Sequence, residues 1–133
     1  MKLITRDTDY AVRAIAYIAQ EEGRIVSVTE LVEKLKTPRP FLRKALQRLT
    51  KKKILCSHKG KGGGFSLTTL PEKIRLLDLI ETFQGPFLIN ECFFKKRICP
   101  NRKSCLLKKK IDEIEAHAAK ELGSLTIADL LKG

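Results

Sequence analysis

Apolar residues recur at helical spacing through most of this chain and at strand spacing in one place only. Ala11, Ala14, Ile15, Ile18 and Ala19 fall at i, i+3, i+4, i+7 and i+8. That stripe predicts a helix opened by Thr8-Asp9-Tyr10 and ended by Gly23. Ser27-Val28-Thr29-Glu30 reads as a capping box for a short helix through Leu31, Val32 and Leu35. In Thr37-Pro38-Arg39-Pro40 two prolines block continuation, and Pro40 suits the first turn of the next helix. There Leu42, Ala45, Leu46 and Leu49 form the buried stripe, while Arg43, Lys44, Gln47 and Lys51 lie opposite. A short helix, a tight turn and a second helix with a basic outer face is the helix-turn-helix pattern, although any helical hairpin shares it.

The only strand signal lies directly behind that pair. Ile54-Leu55-Cys56-Ser57-His58 and Phe65-Ser66-Leu67-Thr68 flank Lys59-Gly60-Lys61-Gly62-Gly63-Gly64, which predicts a β-hairpin, or wing. Glycines there allow positive φ and close backbone approach, and Lys59 and Lys61 charge the tip. A phosphate-binding loop is excluded, because no Gly-Lys-Ser/Thr follows and the glycines join two strands. Further on, Leu70-Pro71-Glu72 starts a predicted helix through Leu76, Leu79, Ile80 and Phe83, stopped by Gly85-Pro86. A long helix is predicted from Leu106 to Leu122. Its Leu107, Ile111, Ile114 and Ala118 step by 4, 3 and 4, a seam suited to pairing with a second copy or to packing on the chain's own core. Leu125-Thr126-Ile127-Ala128-Asp129-Leu130 closes with a short helix. The expected fold is mainly α with a small β-hairpin: a winged helix-turn-helix over residues 1–84, then a cysteine loop and dimerisation helix over 85–133, in one compact domain with an extension.

Charge sharpens this picture. The net charge is +12 over 133 residues, which calls for a polyanionic partner, double-stranded DNA first. It is unevenly placed. Residues 1–70 hold 15 Lys and Arg against 6 Asp and Glu, and no carboxylate occurs between Lys34 and Pro71. Met1–Asp9 lacks the apolar core of an export signal, and no apolar run approaches the ~18 residues that span a membrane, so a cytoplasmic setting is expected.

Cysteine placement supplies the candidate chemistry. Cys92, Cys99 and Cys105 are spaced C-x6-C-x5-C among five cations: Lys95, Lys96, Arg97, Arg102 and Lys103. Thiolates are soft ligands, and neighbouring positive charge favours the thiolate. Gaps of six and five suit structural zinc poorly, since its paired cysteines sit two to four apart. They suit a loop wrapped around a larger object, such as an iron–sulfur cluster. Three free thiols, or a disulfide and one thiol, is the other reading. No Ser/His/Asp or paired-carboxylate arrangement suggests an enzyme, and only two histidines are present.

Taken together, Thr8-Asp9-Tyr10-Ala11-Val12-Arg13, the Gly60-Lys61-Gly62-Gly63-Gly64-Phe65 wing, the three cysteines and the closing Leu125–Leu130 segment resemble the Rrf-type (redox response factor) family of bacterial winged-helix transcription regulators, in its IscR-, NsrR- and RirA-like branches. The resemblance spans nearly the whole chain. It implies a homodimer that acts as a repressor on a roughly palindromic operator. It also implies a [2Fe-2S] or [4Fe-4S] cluster on Cys92, Cys99 and Cys105 whose state sets DNA affinity. IscR-like members place a histidine three residues after the third cysteine, where this chain has Lys108. NsrR-like members draw a carboxylate from the Thr-Asp motif of the other subunit's first helix, which implies Asp9 as fourth ligand; an N-cap or salt-bridge role is the alternative. The DNA-reading positions it implies are Pro40, Arg43 and Lys44, with Lys59 entering the minor groove; an arginine at position 43 favours guanine. A cluster-free, CymR-like regulator, switched by thiol redox state or by a partner protein, is the alternative on the same scaffold.

Overall fold

A computed structural model describes residues 3–89 and 105–132. Helix α1 runs Arg6–Gln20, one turn earlier than the apolar stripe alone shows, because Thr5 serves as N-cap and accepts from the Thr8 backbone N–H. Its small residues Ala11 and Ala14 are fully buried, which lets α1 lie close against the third helix. Helix α2 spans Val28–Leu35. The Glu30 N–H donates to Ser27 Oγ at 3.1 Å, which is one arm of the expected capping box. The Glu30 carboxylate does not return to Ser27: it accepts from Arg24 Nη1 and Nη2 at 2.9 and 2.6 Å and from the Tyr17 hydroxyl at 2.5 Å. It therefore ties α1, the α1–α2 turn and α2 together. Lys36 closes α2 in the left-handed region at φ 54°.

Helix α3 is Arg39–Lys51, with Pro38 at its N-cap and Leu42, Ala45, Leu46 and Leu49 buried. Strands β1 (Leu55–His58) and β2 (Gly64–Leu67) pair antiparallel, with Leu55 opposite Leu67 and His58 opposite Gly64. Val26 extends this hairpin on its other side, exchanging both backbone hydrogen bonds with Phe65 at 2.9 and 2.8 Å. This contact explains Gly64: a Cβ there would lie 2.2 Å from the Val26 carbonyl oxygen.

The continuous helix expected from Leu70 is broken. A 3-10 turn covers Pro71–Lys73, the chain then extends through Ile74 and Arg75, and helix α4 occupies Leu76–Gln84. The cause is tertiary. The Ile74 carbonyl accepts from Ile127 N–H and the Leu76 N–H donates to the Leu125 carbonyl, both at 2.9 Å, so an extended β-branched Ile74 is sewn to a later segment.

Helix α5 runs Leu106–Ser124 and packs on α4; helix α6 is Ile127–Lys132. Thr126 and Asp129 cap α6 reciprocally, each N–H donating to the other's side chain at 3.0 and 3.2 Å. These bonds hold the Asp129 carboxyl below its usual range. Ile127 is fully buried in one core with Ile15, Ile18, Leu31, Leu46, Leu49, Leu55 and Leu79. Among the described residues, no helix is long and apolar enough to cross a membrane.

Candidate nucleic-acid interface and cysteine stretch

The buried stripe of α3 fixes which of its side chains face outward. Pro40, Arg43, Lys44, Gln47 and Lys51 are all exposed, as their positions opposite Leu42, Ala45, Leu46 and Leu49 require. Lys59 and Lys61 are exposed in the hairpin turn. The hairpin is docked to the end of α3: Ile54 N–H donates to the Leu49 carbonyl, and Thr68 Oγ1 donates to the Lys53 carbonyl. His58 Nε2 and Ser66 Oγ, 2.9 Å apart, brace its two strands.

None of the α3 or wing cations joins an ion pair among the described residues. The pairs formed there are Arg13–Asp9, Arg24–Glu21, Arg24–Glu30, Arg75–Asp78, Lys108–Asp112 and Lys110–Glu113. The α3 and wing charges are therefore available to an external anion. Two α3 cations have neutral partners that sequence reasoning missed. Arg48 lies over the Phe83 ring, 5.5 Å from its centroid, and Arg39 donates to Thr29 Oγ1. Helical spacing carries a signal for the first, because Phe83 continues the apolar face of α4; Arg39 reads in sequence only as part of a proline turn.

The Arg24 and Tyr17 hydrogen bonds to Glu30 depress its carboxyl pKa to about 2, Arg24 contributing most. The same contacts push Arg24 and the Tyr17 hydroxyl upward.

Cys92 and Cys99 lie outside the described residues. Cys105 is the N-cap of α5, half-buried, and its Sγ accepts from the Lys108 backbone N–H at 3.4 Å. At the other end of the stretch, Ile89 N–H donates to Glu115 Oε2 at 3.0 Å. Both flanks of the cysteine stretch are thus fastened to α5.

Asp9 lies in the first turns of α1, where its Oδ2 accepts from Arg13 Nε at 2.9 Å with both side chains partly in solvent. Its neighbour Thr8 is fully buried and donates to Gln84 Oε1 at 2.7 Å; the same oxygen accepts from Thr5 N–H at 2.8 Å. Gln84 therefore holds the start of α1 against the end of α4, and nothing local in the sequence marks that role. His117 is exposed and Cys56 half-buried. Among the described residues, no three His, Cys, Asp or Glu side chains converge on one point.

A helical pair with an exposed basic second helix, followed at once by a docked antiparallel hairpin, defines a winged helix-turn-helix protein. A family model described as "Rrf2: Iron-dependent Transcriptional regulator" matches residues 4–133, and the chain belongs to that family. It is 35% identical over 124 residues to a chain of Aquifex aeolicus described as an HTH-type transcriptional regulator, covering 92% of this chain and 86% of that one. Two solved structures share the fold. CymR (YrzC), the global cysteine regulator of B. subtilis, has a TM-score of 0.81 at 21% identity, with 99% of this chain and 98% of that one covered. IscR of T. potens has a TM-score of 0.78 at 24% identity, with 99% and 87% covered.

Proposed function

We propose that this Rrf2-family regulator is a homodimeric repressor whose affinity for its DNA operator is set by an iron–sulfur cluster held by Cys92, Cys99 and Cys105, with Asp9 of the partner subunit as fourth ligand. The observation that carries the DNA part is the basic surface of α3 and the wing, which forms no ion pair among the described residues. The cluster part is supported by the C-x6-C-x5-C spacing, by the iron dependence in the family description, and by Cys105 at the start of α5. The dimer is supported by α5, where Leu107 and Ile114 of the apolar seam stand 69% and 59% exposed and want a cover.

When bound, the cluster supplies redox and ligand-exchange chemistry. The chain's own residues transmit its presence. Cys105 holds the first turn of α5. Glu115 holds the entry to the cysteine stretch against the same helix. Asp9 exchanges Arg13 for its place in the partner's site, and Gln84 fixes the start of α1 to α4. Because α1 packs against α3, freeing these joints changes the spacing or tilt of the two recognition helices. In that arrangement Pro40, Arg43, Lys44 and Gln47 face the major groove, Lys51 and Lys61 the phosphates, and Lys59 the minor groove.

The test is iron and acid-labile sulfide per monomer, with an absorbance spectrum, on anaerobically purified protein. About two irons mean a [2Fe-2S] regulator, and about four mean [4Fe-4S] and favour Asp9 as ligand. No iron after reconstitution removes the cluster and leaves a thiol- or partner-controlled regulator on the same DNA-binding scaffold.

A further inference from the structure

The two helices of the helix-turn-helix are joined at their first turns by one side-chain bond. Arg39, the first residue of α3, donates from Nη2 to Oγ1 of Thr29, the second residue of α2, at 3.1 Å. Both residues are exposed. A cation is an odd choice at this position. The N-terminus of a helix carries the positive end of the dipole and favours an acidic residue, and α3 has none in its first turn. Pro38 offers no side-chain cap, and Pro40 has no N–H. Arg39 joins no ion pair among the described residues, and Glu30, the carboxylate next to Thr29 in sequence, is engaged by Arg24 and Tyr17.

A brace between α2 and α3 needs only one N–H and no charge. A guanidinium has five N–H groups in a planar fork, and the bond to Thr29 uses one of them. That bond also restricts the long side chain before any ligand arrives, so that less rotamer freedom is lost when the remaining donors are used. An anion bound there would offset the unfavourable placement, and planar arginine donors match phosphate oxygens.

We infer that Arg39 is a DNA-backbone contact, pre-oriented by Thr29, which docks a phosphate beside the starts of α2 and α3 and so sets how α3 enters the major groove. The inference rests on the DNA-binding part of the function proposed above and not on the cluster. A phosphate contact at the first residue of the recognition helix carries no base information. It fixes register for Arg43 and Lys44, one turn further along.

The experiment uses the full-length, iron-free protein and a mixed-sequence duplex of about 30 base pairs, with affinity measured by fluorescence anisotropy between about 50 and 200 mM salt. R39Q is expected to make the slope of log K against log salt shallower by about 0.9, the value for one phosphate contact. T29V keeps the charge and frees the fork; it is expected to keep the wild-type slope and weaken binding severalfold. R39K, which preserves the charge should R39Q fold poorly, is expected to keep the slope and also bind more weakly. A wild-type slope in folded R39Q overturns the inference and leaves Arg39 as a brace only. Wild-type affinity in both T29V and R39K overturns the pre-orientation. A wild-type protein with no salt-dependent duplex binding, whether iron-free or cluster-loaded, fails at the earlier step, the DNA-binding reading itself.

Discussion

Two basic regions look alike as strings of letters and differ in the folded chain. One is the face of α3 with the wing; the other is Lys108-Lys109-Lys110 at the start of α5. In the second, Lys108 reaches Asp112 at 2.7 Å and Lys110 reaches Glu113 at 3.4 Å, one helical turn on. In the first, Arg43, Lys44, Lys51, Lys59 and Lys61 form no such pairs among the described residues. A charged run is therefore not a binding surface by virtue of its charge. It becomes one when the fold leaves that charge without an internal partner.

The largest test of this contrast removes the wing's seat. Gly64→Ala would drive a Cβ to 2.2 Å from the Val26 carbonyl, backbone against backbone. We expect a loss of roughly 3 kcal/mol, the scale of a steric clash at a fixed site, read as a drop in the thermal midpoint. An unchanged midpoint would mean that the hairpin is not seated on Val26. A smaller effect separates the two regions directly. Arg43→Gln should weaken duplex binding about tenfold, roughly 1.4 kcal/mol, whereas Lys110→Gln should leave affinity within about twofold. Equal losses in anisotropy titrations would erase the distinction.

The smallest effect concerns a cation that is paired inside the basic half, Arg24. Its partner Glu30 has its carboxyl lowered from 4.5 to about 2. A lowered carboxyl stabilises the fold fully above its ordinary value and loses that stabilisation as pH falls through the folded value. The midpoint gap between wild type and Glu30→Gln should accordingly be constant above about pH 5 and shrink between pH 4.5 and 2. Because the pair is partly in water, added salt should narrow the gap as well. A gap that does not change with pH would show that Glu30 acts through shape and not charge.

Local rules carried much of the architecture. The stripe of α1, the Ser27 cap, the proline entry to α3 and the glycine hairpin are each written within a few residues, and the outward face of α3 follows from its buried one. Long-range bonds were not legible. Ile74 carries a helix-compatible pattern, and the bonds that Ile74 and Leu76 make with Ile127 and Leu125 hold it extended. Gln84 looks like an ordinary end-of-helix polar residue until Thr5 and Thr8 arrive from the far end of the sequence. The Glu30 side chain matched a local rule and chose distant partners, because a guanidinium and a phenol offer more to a carboxylate than a backbone N–H. For Asp9, sequence weighed a ligand against a salt bridge, and within one chain the salt bridge to Arg13 is present.

The stitch between Ile74 and Ile127 also bears on how the protein is made. Ile127 is fully buried among side chains from α1, α3 and α4, so the DNA-binding end lacks part of its interior until that residue has been synthesised. During translation the cysteine stretch emerges from the ribosome before Ile127 does, and so before the core is complete. Such a long sequence separation slows folding and couples the two ends of the molecule in time. A nascent chain that stops short of Ile127 would carry its cysteines and its basic helix but lack part of its core, and quality control would meet it as an unfinished protein.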